Sequence, residues 1–399
     1  MLGPPETRNP PVIAVTEGPE AQSGGDRLSH KNTPETRTAG EYRRERFALH
    51  TRIRNLLVSR VMETRPPGTH AGNVYRTAAC TWVRTMGTVS LVRPAGRPTY
   101  HYKGLATCGS VWVCPLCAAK IQERRRQEVA QAIVYAATID RAPFMVSITF
   151  PHRVDQPLSM LLKLQSQALA KMRQRRDYMA LMLKASAAGR IRALEVTHGQ
   201  NGWHPHTHEL LFLRPDVPTA WLREELAHLW LRACRAVGLF VDGRDREADF
   251  LRHSVDVQAG DDGISGYLAK LDDQNAWGLS HELTKASSKQ GRRTGAHPFR
   301  LASEKATSRL FLEYVDAMKG QRQLVWSRGL KAAVGVDDIS DEDIAQQETE
   351  RADDQIPVPN SAWRYVLAND ARWEVTHAAQ VGGIPEVERL LRLLGWKPT

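Results

Sequence analysis

Apolar positions along the chain change period several times, and the changes mark out its elements. Residues 1–40 hold no sustained pattern, are rich in Pro, Gly, Thr and charge, and read as a disordered tail. Glu41 to Thr64 has helical spacing and carries Arg43, Arg44, Arg46, Arg52, Arg54 and Arg60. The charged side of this basic helix faces either solvent or a polyanion. Ala78 to Val92 is β-prone, and Pro115 to Ala137 reads as a second basic helix, with Lys120, Arg124, Arg125 and Arg126. Strands are then predicted over Phe144 to Phe150, Ile191 to Thr197, His204 to Leu213 and Phe250 to Val257. Helices are predicted over Leu158 to Lys184, Thr219 to Val237, Asp262 to Leu271 and Phe311 to Lys319. Gly335 to Pro359 is an acidic helix and linker, and Trp363 to Thr399 a small tail. Strands joined partly by a hairpin and partly by helices predict an α+β fold: an antiparallel sheet with flanking helices, covered on one side.

The hairpin carries the densest chemistry. Gly202-Trp203-His204-Pro205-His206-Thr207-His208 leads into the apolar stretch Leu210 to Leu213, so three imidazoles share one face of a strand. Asn201-Gly202 fits a two-residue type I′ turn. That turn places Thr197 opposite His206 and Glu195 opposite His208, a carboxylate beside two imidazoles. Directly paired residues have Cβ atoms about 5 Å apart, close enough to share a divalent ion. Two histidines and one carboxylate leave coordination positions open for water and substrate oxygens. A register slip of one residue would turn Glu195 to the other face.

Composition narrows the partners. Among 399 residues, 55 Lys and Arg outweigh 44 Asp and Glu, a net charge of +11 that points first to nucleic acid. No apolar run approaches the roughly 20 residues of a membrane span. Met1 to Gly40 has no apolar core segment of a signal peptide, so the chain reads as cytoplasmic, with no membrane partner. Five cysteines argue against a secreted disulfide framework. Cys114-Pro115-Leu116-Cys117 is a Cys-x-x-Cys knuckle that Cys80 and Cys108 could complete to a four-thiolate zinc site, with a reduced redox pair or buried thiols as the alternatives. Cys234 lies in an apolar helical pattern and reads as core.

A nucleophile is on offer further along. In Ile264-Ser265-Gly266-Tyr267-Leu268-Ala269-Lys270, a helix sets Tyr267 and Lys270 on one face, where the ammonium favours phenolate and neutralises phosphate charge. Most tyrosines in such a pattern are packing residues. Lys285, Lys289, Arg292 and Arg293 follow in a polar stretch, Ser280 to Arg300, suited to tracking phosphates.

Three segments in order resemble the motifs of rolling-circle plasmid replication initiators of the HUH endonuclease superfamily. They are Met145-Val146-Ser147-Ile148-Thr149-Phe150-Pro151-His152, Glu195-Val196-Thr197 through His208, and Gly266-Tyr267-Leu268-Ala269-Lys270. The cysteine segment Cys108 to Cys117 and the stretch Glu282 to Phe299 are similar to single-tyrosine members, and the resemblance spans about residues 70–335. It implies a nickase domain over 141–335, preceded by a zinc-binding module within 41–137 and followed by an acidic linker and tail over 336–399. His206 and His208 would be ligands of a catalytic Mg2+ or Mn2+, with Glu195 the third ligand and His204 behind them. Tyr267 would attack origin DNA, single-stranded or hairpin, leaving a 5′-phosphotyrosine and a free 3′-hydroxyl, with Lys270 assisting. Lys285, Lys289, Arg292 and Arg293 would contact DNA, and a host helicase and polymerase are candidate partners.

The sequence departs from that pattern in places. Thr207 and Glu209 stand where the family carries apolar residues, and both can face away from the metal. Gly263 stands where some members have a glutamate that activates water for the terminating cleavage, leaving Asp261 or Asp262 for that task. A transposase or mobilisation relaxase would use the same metal and tyrosine. In another class, a non-catalytic zinc-dependent DNA-binding regulator would keep the hairpin as structure alone.

Overall fold

The described strands are β1 (Val89–Pro94), β2 (His101–Lys103), β3 (Ala142–Ile148), β4 (Gly189–Gly199), β5 (Gly202–Leu213), β6 (Val255–Ala259), β7 (Leu324–Trp326) and β8 (Ala352–Val358). The computed structural model describes residues 38–64, 75–94, 99–260, 295–347 and 352–398, which lie in one compact unit, Arg37–Thr399. Two antiparallel sheets result, a larger one ordered β6-β3-β5-β4-β7 and a smaller one ordered β2-β1-β8.

The larger sheet is covered on both faces, not one. Phe144, Val146, Ile148, Leu194, Leu211 and Leu213 turn one way, into a core shared with Leu161 and Leu169 of helix Leu158–Gln174 and Leu226 and Trp230 of helix Thr219–Val237. The alternate residues Met145, Ile191, Leu210 and Phe212 turn the other way, against Val129, Ala132 and Ala136 of helix Pro115–Thr138. The basic helix that the sequence marks at Pro115 therefore has an apolar stripe, and burying each large side chain on it stabilises the sheet by about 1.5–3 kcal/mol.

Several elements differ from the sequence reading. The long helix from Leu158 breaks at Arg175, where extended backbone (φ −72°, ψ 142°) separates Leu158–Gln174 from Arg176–Lys184. Phe250 and Leu251 belong to a helix, Glu247–His253, whose acidic first turn and basic last turn match the helix dipole. Only Val255–Ala259 beyond it pairs with β3. The acidic stretch holds helix Asp341–Gln347 and then β8, whose Val358 and Ile356 pair with Val89 and Leu91.

The C-terminal stretch forms helices Asn360–Ala368 and Arg372–Leu393. Trp363, Val366, Val375 and Leu391 share a core with Val89 and Leu91 of the smaller sheet. Arg372 is fully buried, donating to His50 Nδ1 (3.2 Å) and Thr81 Oγ1 (2.8 Å), which ties the last helix to helix Ala39–Thr64. That first helix buries Phe47, Leu49, Ile53 and Leu57. Its arginines engage groups of the protein itself: Arg60 pairs with Asp316 at 2.5 Å, Arg52 donates to the Ser303 carbonyl, and Arg54 lies over the Trp82 ring. Among the described residues, no helix is long and apolar enough to cross a membrane.

Candidate metal centres

The β4–β5 hairpin turns at Gln200-Asn201, with Gly199 opposite Gly202. Gly202 is the residue with positive φ (+83°), and a Cβ there would meet the Val154 Cα at 2.7 Å. The turn thus sits one residue earlier than the type I′ assignment, and the register shifts by two: Glu195 pairs with His206 and Thr197 with His204. A shift of two keeps every side chain on its face. Glu195 remains beside His206 and diagonal to His208.

The geometry within this group is that of a ligand set. Glu195 Oε2 lies 3.2 Å from His206 Nε2 and 3.1 Å from His208 Nε2, and the ligand atoms of all three residues fall within 4.8 Å of one another. Burial would raise the Glu195 carboxyl, but the His206 and His208 imidazoles beside it hold it well below the usual range. It is a carboxylate.

Each of the two imidazoles is fixed through its far nitrogen, as a metal-binding histidine would be. His206 Nδ1–H donates to the His204 carbonyl at 3.3 Å. His208 Nδ1 lies 2.9 Å from Ser147 Oγ, its cross-strand partner on β3. A hydroxyl can accept that proton, leaving Nε2 with a lone pair to give.

His204 has both nitrogens engaged elsewhere. His152 Nδ1–H donates to the Asn201 carbonyl (2.9 Å), His204 Nδ1–H donates to His152 Nε2 (2.6 Å), and the Thr149 hydroxyl reaches His204 Nε2 (3.3 Å). Burial and the neighbouring imidazoles push His204 down to about 3, so it is neutral at ordinary pH. Thr207 and Glu209 point to the opposite face, fully buried, where Glu209 pairs with Arg173.

The four cysteines form a second group, each residue buried. Sγ of Cys117 lies 3.6 Å from those of Cys80 and Cys108, and Cys80 Sγ lies 3.7 Å from that of Cys114. With Zn–S bonds of about 2.3 Å, a tetrahedral site has S···S edges of about 3.8 Å. These distances fit, whereas a disulfide needs about 2.05 Å. Backbone N–H groups of Ser110 and Cys117 point at the sulfurs of Cys108 and Cys114 (3.5 and 3.4 Å), donors suited to thiolates. Hydrogen bonds from the other thiols hold Cys117 well below the ordinary thiol range, and burial pushes Cys114 up. A dication at the centre would displace the shared protons.

The sequence pattern of the replication protein family matches residues 103–237. Across 350 residues the chain is 28% identical to "Protein rep" of Streptomyces lividans, covering 69% of this chain and 76% of that protein. By these matches the chain is similar to plasmid replication initiators. A 135-residue stretch is also 30% identical to a "Neomycin resistance protein" of Streptomyces cyanogenus, 28% of this chain and 31% of that one. No solved structure matches.

The matched stretch holds Cys108, Cys114, Cys117, Glu195, His206 and His208; Cys80 and Tyr267 lie beyond it. Tyr267, Lys270, Lys285, Lys289, Arg292 and Arg293 fall outside the described residues, as does the helix expected over Asp262 to Leu271. The chain leaves the described part after Gly260, beyond β6, and returns at Gly295 and Ala296. Ala296 bonds both backbone groups of His198 on β4 (2.7 and 2.9 Å). Two contributors escaped the sequence reading, Ser147 and His152. Both stand in the Met145 to His152 segment, but only the β3–β5 register and the strand's exit show what they touch.

Proposed function

We propose that this protein starts rolling-circle replication by nicking one strand of origin DNA, single-stranded or extruded as a hairpin, and later rejoining the strands. The Tyr267 phenolate attacks the scissile phosphorus; its O–P bond forms as the bond to the 3′ oxygen breaks. The products are a 5′-phosphotyrosine and a free 3′-hydroxyl from which a polymerase extends. The reverse attack by a 3′-hydroxyl rejoins strands and frees the tyrosine.

Glu195, His206 and His208 would hold Mg2+ or Mn2+, which when bound supplies Lewis acidity toward phosphate oxygens. Ser147 and the His204 carbonyl orient the two imidazoles, and Lys270 neutralises phosphate charge. Cys80, Cys108, Cys114 and Cys117 would hold a structural Zn2+ that fixes the module ahead of the sheet. The central β5 strand carrying paired histidines, in an antiparallel sheet between helices, supports an HUH endonuclease-like fold.

The observation that carries this reading is the Glu195 carboxylate within 3.2 Å of two Nε2 atoms whose far nitrogens are already tied. A purely structural hairpin has no need of two imidazoles converging on one carboxylate oxygen. The test incubates the protein and Tyr267→Phe with Mn2+ and single-stranded DNA from the flanks of its gene, looking for a denaturation-resistant adduct. An adduct in wild type alone, mapped to Tyr267 and lost in His206→Ala and His208→Ala, is expected. No adduct across the whole flanking region would leave a DNA-binding regulator.

A further inference from the structure

A cleft of about 1270 Å³ opens between the zinc knuckle loop, the 315–332 stretch and the acidic segment 335–342. Val111, Trp112 and Gln323 border both this cleft and a gap of about 10 Å³ that reaches Glu195 and His297, so only these three buried side chains separate the cleft from the metal-ligand cluster. Trp112 is held in that position by Nε1–H donating to the Gln321 carbonyl at 2.8 Å.

The charges around the cleft are not balanced. On the acidic wall Asp338 pairs with Lys331 (2.7 Å), Asp341 with Arg125 (2.8 Å) and Glu342 with Arg76 (3.3 Å). Asp337 remains without an ion pair among the described residues. Arg322 and Arg328 are exposed and make no ion pair among the described residues, Arg322 standing near enough to Asp338 to help lower its carboxyl. The surplus is positive. Neither wall is loosely attached: Gly109 of the knuckle loop (φ +65°) lies so close to the acidic helix that a Cβ would meet the Glu342 Cα at 2.7 Å.

We propose that this cleft carries one strand of nucleic acid to or from the Glu195–His206–His208 cluster, with phosphates against Arg322 and Arg328. The assignment deepens the nicking reading, since it names the path of that site's substrate. A phosphodiester chain is repelled by the Asp337 carboxylate and attracted by the two guanidiniums that no ion pair among the described residues neutralises, so its phosphates settle on Arg322 and Arg328. Half-buried Trp326 borders the same path and offers an aromatic edge for a base.

The test is fluorescence anisotropy with a labelled, mixed-sequence single-stranded oligonucleotide of about 16 nucleotides, in a Tyr267→Phe background so that adduct formation plays no part. Arg322→Ala/Arg328→Ala is expected to weaken binding at low salt by tenfold or more and to reduce the salt slope by about 1.4, which is about 0.7 per lost phosphate contact. Arg246→Ala/Arg364→Ala, equal in charge and distant in sequence, is expected to match the parent. Asp337→Asn removes the unpaired carboxylate and is expected to tighten binding, a gain that misfolding cannot produce.

A double variant that keeps parental affinity and slope overturns the proposal, as does equal loss in the control pair or a parent that does not bind. The adduct assay on wild type separates the two readings. Adduct formation with an unaffected double variant removes the strand path alone. Absence of adduct with the expected slope change removes the nicking and leaves the cleft as a strand-binding surface.

Discussion

Replacing Ser147 with alanine tests the metal reading at a side chain that is not itself a ligand. Ser147 Oγ lies 2.9 Å from His208 Nδ1, and the β3–β5 register places the two residues directly opposite. Without the hydroxyl, His208 loses the group that holds its ring and takes its Nδ1 proton, so Nε2 must be freed at the cost of an unpaired Nδ1–H. Outer partners of metal-bound histidines typically govern 10–100-fold in affinity. At about 1.4 kcal/mol per decade that is roughly 1.4–2.7 kcal/mol, and a single neutral hydrogen bond of about 1 kcal/mol points to the lower end. Calorimetric titration of Mn2+ into Ser147→Ala should therefore show about tenfold weaker binding, with the zinc content and thermal midpoint close to wild type. Thr207→Val is the control, because Thr207 lies on the other face of β5 and its buried Oγ1 has no partner. It should leave Mn2+ affinity unchanged and add about 1 kcal/mol of stability by removing an unsatisfied hydroxyl. Wild-type affinity in Ser147→Ala, or equal weakening in Thr207→Val, would refute the orientation argument.

Three further outcomes follow from the packing. If the four cysteines hold zinc, Cys117→Ser should abolish a stoichiometric content of about one per chain, read by elemental analysis, and lower the thermal midpoint, since the four sulfurs lie close enough to share one centre. Arg173→Ala removes the ion-pair partner of the buried Glu209 carboxylate, leaving Arg192 across the strand as its remaining cation, and should cost about 1.5–3 kcal/mol in denaturant unfolding, with Glu209→Gln in the same background recovering part of it. His50, fully buried and accepting from Arg372, is pushed down to about 3 by burial and by that guanidinium. Its stabilising effect is thus complete above the ordinary value of 6.5 and lost as pH falls from there toward 3. By about pH 5 the loss reaches about 2 kcal/mol, so the stability gap between wild type and His50→Gln should shrink by that amount between neutral pH and pH 5.

Local signals in the sequence carried the parts of the fold that depend on neighbours along the chain. Helices Pro115–Thr138 and Thr219–Val237 stand where the apolar spacing predicts them, and the Cys-x-x-Cys knuckle announces the cysteine group. What escaped depends on distant partners. β8 has two apolar residues that reach its core, Ile356 and Val358, in a segment that also carries Asp353, Asp354, Gln355 and Pro357, so nothing local says that it completes a sheet begun at Val89. Arg372 reads as one more surface arginine until His50, Thr51 and Thr81 close around it. The break at Arg175 has neither proline nor glycine to mark it.

The ligand cluster shows why a site can be legible while the turn that builds it is misplaced. Asn-Gly suggests positive φ at both turn residues, yet only Gly202 takes it, and the hairpin closes one residue earlier with pairs shifted by two. Because side chains alternate with period two, that error preserves the face of Glu195, His204, His206 and His208 and changes only who is opposite whom. A turn placed by one pair more or less gives the same inventory but a different division of labour. In the observed register Glu195 is paired with His206, so His208 is left opposite Ala193 on one side and Ser147 on the other. The small alanine leaves room for the imidazole to lean toward Glu195, and the serine fixes its far nitrogen. With Glu195 opposite His208, as the Asn-Gly turn predicts, His206 would face Thr197 and the carboxylate would be centred one pair deeper in the strand. The two registers therefore differ in which histidine is the better-supported ligand. In the observed one the role of Ser147 makes His208 the more constrained of the two, so His208→Ala should weaken Mn2+ binding more than His206→Ala; the reverse order in a titration would favour the other register.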